Sequence, residues 1–78
     1  MFCVYVIRSL KRTYNYVGLT SDLEKRIERH QKGYEKTTRP YRPFKLILVE
    51  YFPTRLEARK REKYLKSGVG KEFIKAMM

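Results

Sequence analysis

The chain has one cysteine, Cys3, and no tryptophan. A single thiol excludes an internal disulfide and any multi-cysteine zinc site, so nothing calls for an oxidising compartment and the cytoplasm is the expected location. Glycine and proline are sparse, four and three in 78 residues. There is no glycine-rich phosphate loop, no internal repeat and no low-complexity segment. Long apolar runs are missing too: Phe2 to Ile7 is too short to cross a membrane and no basic stretch precedes it, so neither a span nor a leader is expected. Acidic residues are also scarce, with 8 Asp and Glu against 19 Lys and Arg, a formal net charge of +11. In a chain sized for one domain, residues 1–78, that excess points to a polyanionic partner, above all nucleic acid; charge kept for solubility is the plain alternative.

What is present reads as alternating strands and helices. Phe2 to Arg8 (FCVYVIR) is β-branched and aromatic without polar alternation, the pattern of a central strand buried on both faces. Leu10 to Thr13 reads as a hairpin loop into a second strand, Tyr14 to Leu19. An even-numbered loop puts Tyr5 and Tyr16 on one sheet face, opposite or diagonal, so that two phenols share a pocket. Gly18 allows a sharp turn or a close approach. Ser21 with Glu24 fits a capping box for a helix running to Lys32 and stopped by Gly33. On it Leu23 and Ile27 carry the packing face, while Arg26 and His30, also four apart, present a cation and an imidazole together.

Tyr34 to Pro43 (YEKTTRPYRP) combines prolines, tyrosines and cations, as a partly ordered surface loop would. Phe44 to Phe52 (FKLILVEYF) is the third strand. Thr54 with Glu57 forms a second capping box, opening a helix to about Ser67 that Gly68 ends. Gly68 to Gly70 reads as a linker, and Lys71 to Met77 as a last helix turning Phe73, Ile74 and Met77 inward. The order ββαβαα implies an α+β domain, a three-stranded antiparallel sheet flanked by helices. Ala58 and Leu65 leave Glu62 on or beside the stripe facing the sheet, where a carboxylate needs a cation or a metal.

These features resemble the GIY-YIG nuclease family. Tyr16-Val17-Gly18, followed by a helix with Arg26 and His30, looks like the second half of its signature. Cys3-Val4-Tyr5 stands one strand upstream as a degenerate first half. Ala58 to Lys66 (ARKREKYLK) resembles the family's helix with a metal-binding glutamate, at Glu62. The match covers nearly the whole chain and most resembles the small single-domain bacterial members. Cys3 replaces the first glycine, and Asn15, the only asparagine, is misplaced for the family's late asparagine.

The resemblance implies a divalent-metal-dependent endonuclease hydrolysing DNA phosphodiesters. Glu62 would hold one Mg2+ or Mn2+, Arg26 would contact the phosphate, and Tyr5 and Tyr16 would activate or orient the water, with the base left open between them. His30 is either catalytic, a support for Arg26 or Tyr5, or a satisfied structural residue. Lys11, Arg12, Arg39, Arg42 and Lys45, in loops or at a strand entrance, are expected to hold the phosphate backbone. Without a recognition module, cleavage is expected to follow DNA structure, such as flaps, nicks or branched repair intermediates, or a protein partner that supplies targeting. The competing reading is a DNA- or RNA-binding module without useful turnover, in which Glu62 merely pairs with Arg59 or Lys66. Tyr14, Tyr41, Tyr51 and Tyr64 read as packing or interface aromatics.

Overall fold

The computed structural model describes residues 1–77. Its elements are β1 (Phe2–Ser9), β2 (Asn15–Thr20), α1 (Leu23–Lys32), a 3-10 turn (Arg39–Tyr41), β3 (Phe44–Phe52), α2 (Arg55–Lys66) and α3 (Gly68–Ala76). The strands form one antiparallel sheet in the order β2-β1-β3. The central place of β1 follows from its unbroken apolar run, and Cys3, Val4, Tyr5, Val6 and Ile7 are all buried. Among the described residues no helix is long and apolar enough to cross a membrane.

Alternation along β1 sends Val4 and Val6 to one face and Tyr5 and Ile7 to the other. The first face gathers Val17, Ala58, Leu65 and Ile74, so α2 and α3 cover it. The second gathers Tyr16, Leu23, Ile27, Tyr41 and Phe44, which brings α1 and the 3-10 turn over it. The two faces therefore have different chemistry, one aliphatic and one rich in phenols.

The start of α1 differs from the expected capping box. Asp22, not Ser21, is the N-cap, its Oδ1 accepting the Lys25 amide at 3.1 Å, while Thr20 Oγ1 accepts the Asp22 amide. A carboxylate both caps and complements the positive end of the helix, so it takes the place of the neighbouring hydroxyl. Gly33 closes α1 as expected, in the left-handed conformation (φ 80°) that a side chain would strain. Thr54 caps α2 through the Glu57 amide.

The junction of α2 and α3 overturns the expected linker. Gly68 to Gly70 is the first turn of α3, and Ser67 both ends α2 and caps α3, its Oγ accepting the Gly70 amide at 3.2 Å. Glycine at 70 serves closeness, because a Cβ there would run into the Tyr64 carbonyl and the Leu65 backbone. Ile74 turns inward as expected, but Phe73 and Met77 are 39% and 40% exposed. The buried stripe of this short helix is Gly70 and Ile74, four apart, so positions 73 and 77 fall on its flanks. Phe73 lies instead against the Arg61 guanidinium, which is fixed by two hydrogen bonds to Glu50.

Candidate active site

The β1–β2 register pairs Tyr5 with Gly18 and Ile7 with Tyr16. Tyr5 and Tyr16 are thus diagonal neighbours on the α1 face, their ring centroids 6.3 Å apart. Gly18 makes this possible by its lack of a side chain, since a Cβ there would collide with the Tyr5 hydroxyl and ring. Over the two phenols α1 lays His30, fully buried, with its ring 5.0 Å from that of Tyr16.

His30 is held at both nitrogens. Tyr5 Oη lies 2.8 Å from Nε2, and Thr38 Oγ1 lies 2.8 Å from Nδ1. A neutral imidazole donates through one nitrogen and accepts at the other, so one of these two hydroxyls donates to the ring and the other accepts from it. Burial, reinforced by the nearby Arg26 charge, holds the His30 pKa below its ordinary value. Burial likewise drives the Tyr5 pKa far above that of a free phenol, against the opposing pull of Arg26. Both groups are therefore neutral near pH 7.

Arg26 stands one turn before His30, close enough for its charge to act on both phenols. Its Nε is buried without a hydrogen-bond partner among the described residues. Glu35 Oε2, 3.7 Å away, is too distant for a hydrogen bond and is already engaged by Arg29 Nε at 2.8 Å. The Arg29 hydrogen bond keeps the Glu35 carboxyl below the usual carboxylate range. Glu35 and Thr38 escaped the sequence reading. One signal for Thr38 was available: a buried neutral imidazole needs partners for two nitrogens, and Tyr5 supplies only one.

Glu62 stands apart from this cluster, on α2. Its helix covers the aliphatic face, and its carboxylate, 14% exposed, lies 3.3 Å from Lys66 Nζ and 3.8 Å from Arg59 Nε. The carboxylate beside Arg26 is instead Glu35. A cavity of about 590 Å³ at the free edge of β2 links the two faces, because Tyr16 and Lys66 both line it. No three His, Cys, Asp or Glu side chains gather into a metal cage among the described residues. A lone carboxylate fits a hard cation that keeps several waters and shares substrate oxygens, not a preformed cage.

The expected backbone-binding cations divide into two sets. Lys11 and Arg12 lie in the exposed β1–β2 turn, where their amides bond Ser9 Oγ, and Lys45 sits near the start of β3, paired with Arg8. The Arg12 guanidinium lies 5.9 Å from the Tyr41 ring centre, and Tyr41 stacks on Tyr14 at 3.8 Å. Arg39 Nε and Arg42 Nη1 instead donate to the Gly33 and Lys32 carbonyls at 2.8 and 2.7 Å, holding the end of α1.

Two phenols, a neutral imidazole and a guanidinium with one unfilled donor thus stand together on the α1 face of a basic α+β domain. The chain belongs to the GIY-YIG family: residues 1–74 match the GIY-YIG catalytic domain, whose members are typically endonucleases that use divalent metals. It is 41% identical over 64 residues to the UPF0213 protein CPE1444 of Clostridium perfringens, covering 81% of this chain and 68% of that one. It is 40% identical over 63 residues to the UPF0213 protein YazA of Bacillus subtilis, covering 80% and 63%. The matched segments thus span about two thirds of those relatives. The solution NMR structure of the UPF0213 protein BH0048 from Bacillus halodurans aligns with a TM-score of 0.58 at 32% identity, covering 99% of this chain and 85% of that one.

Proposed function

We propose that this protein is a divalent-metal-dependent endonuclease that hydrolyses DNA phosphodiesters, choosing its target by DNA structure, as in repair intermediates, rather than by sequence. The observation that carries the reading is Arg26 Nε, a buried donor without an acceptor, beside two phenols. Leaving such a donor unfilled costs about 1–3 kcal/mol, and a phosphate oxygen of the substrate would fill it.

In this reading Arg26 grips the scissile phosphate and stabilises charge that grows on it during attack. Tyr16, only partly buried and lining the open cavity, orients the attacking water. Tyr5 is fully buried, so it acts as a positioning residue, pressing on Gly18 and fixing neutral His30 behind Tyr16. Glu62, with substrate oxygens, would hold a single Mg2+ or Mn2+, which supplies further positive charge to the phosphate. For that, Lys66 and Arg59, both about half exposed, must release the carboxylate.

The test is incubation of the purified protein with branched, nicked and single-stranded DNA and RNA, with Mg2+ or Mn2+ and with chelator. DNA products formed only with metal support the reading. Absence of product on every substrate sinks it, and leaves a nucleic-acid-binding module in which Glu62 serves only its two ion pairs.

A further inference from the structure

The cavity at the β2 edge is open to solvent between the strand and helices α2 and α3. At about 590 Å³ it falls within the range of about 300–1,000 Å³ usual for small-ligand sites. Leu65 and Ile74 give it an apolar floor, while Arg8, Lys66, Lys71 and Lys75 surround it, with no acidic side chain in the lining. Arg8 is steered by Asn15, whose Oδ1 accepts from Nη1 at 3.3 Å. Lys71 and Lys75 are four apart on α3, a spacing at which like charges repel in the free protein and are relieved by a bound anion. An apolar floor under a cationic rim suits a flat base with its flanking phosphates.

We infer that this cavity is a subsite for one unstacked nucleotide of a displaced DNA strand, next to the scissile phosphate. Tyr16 belongs to both places, since it lines the cavity and packs against His30. A base held in a duplex stack cannot enter such a pocket, so the occupant comes from a flap, a gap or an end. The adjacency to the scissile phosphate rests on the nuclease reading above; the nucleotide binding does not.

Fluorescence anisotropy in chelator, where no cleavage occurs, tests the binding directly. The protein should bind a duplex with a short single-stranded flap about tenfold more tightly than a blunt duplex of equal length, and the double variant Lys71→Gln/Lys75→Gln should erase that preference while changing duplex binding less than about threefold. Equal losses on both DNAs, or no flap preference in the unsubstituted protein, overturn the subsite. If the double variant does not fold, Lys75→Gln alone carries the same comparison. NMR should show the Leu65 and Ile74 amides shifting with flap DNA and not with duplex; saturation by a free nucleoside monophosphate at equal concentration would make this a small-molecule site and overturn the inference. Flap preference without cleavage in metal keeps the subsite and removes the nuclease, and cleavage without flap preference does the reverse.

Discussion

The Tyr5 phenol occupies the space in which any side chain at position 18 would have to stand. Glycine at 18 is therefore a steric requirement of Tyr5 on the neighbouring strand. Gly18→Ala should lower stability by about 1–3 kcal/mol, the usual range for overpacking, read as a fall in melting temperature. Adding Tyr5→Phe should not restore it, because the ring carbons collide as well as the hydroxyl. An unchanged melting temperature would mean that the two strands slide apart freely.

His30 should make stability acid-sensitive near neutrality. Its folded pKa lies below the ordinary value of about 6.5, so the unfolded chain binds the proton more readily and stability rises with pH across that interval. The contribution is complete above about pH 6.5 and is lost as pH falls through the folded pKa. Glu35, also depressed, keeps its contribution until the pH drops below the carboxylate value of about 4.3, so the two windows separate. Melting curves from pH 8 to 5 should show the first loss, and His30→Gln should flatten it. A slope that survives the substitution assigns the effect to another group.

Arg26→Ala should leave the melting temperature nearly unchanged while cutting cleavage by about 10²–10³-fold. The small effect on stability follows because Leu23 and Ile27 carry the packing of α1, while the partly exposed guanidinium gives up only its contacts with the two phenols and Glu35. Lysine at 26 should rescue only part of the rate, because it lacks the planar fork. Normal cutting by the alanine variant would remove Arg26 from the mechanism.

Glu62→Gln should abolish turnover and leave the fold and the DNA affinity intact or improved. The ion pairs it breaks involve half-exposed cations, so the loss of stability should stay below about 1 kcal/mol. A variant that unfolds, yet whose folded fraction still cuts, would make Glu62 a structural residue.

Arg39 and Arg42 should behave differently from Lys11, Arg12 and Lys45. Alanine at 39 or 42 gives up a hydrogen bond to the end of α1 and should reduce stability by roughly 1 kcal/mol besides any effect on DNA binding. Alanine at 11, 12 or 45 should weaken binding alike on all sequences and flatten its salt dependence, with no change in melting temperature. A melting-temperature loss common to all five would refute the division.

Much of this was legible in residue order because it depends on near neighbours. The apolar run of β1, the parity that brings Tyr5 and Tyr16 to one face, the shared turn of Arg26 and His30, and the left-handed Gly33 all follow from fixed periods or from one residue's backbone freedom. Local signals failed where two solutions were nearly equal. Asp22 and Ser21 can both cap, and Gly68 to Gly70 can be linker or first turn until Ser67 and the crossing of α2 decide.

Tertiary structure alone decided what surrounds the site. Thr38 and Glu35 lie in a proline-rich segment without periodicity, yet they complete the buried imidazole and neighbour the guanidinium, because the 3-10 turn folds over the α1 face. Glu62 sits on the helix of the opposite face, and only its ion-pair partner Lys66 lines the cavity at the free edge of β2 with Tyr16. Residue order sets which residues share a strand face or a helix turn, since covalent geometry fixes those periods. Which separate elements meet was settled by the burial of two unlike sheet faces, a long-range balance of packing that no local window contains.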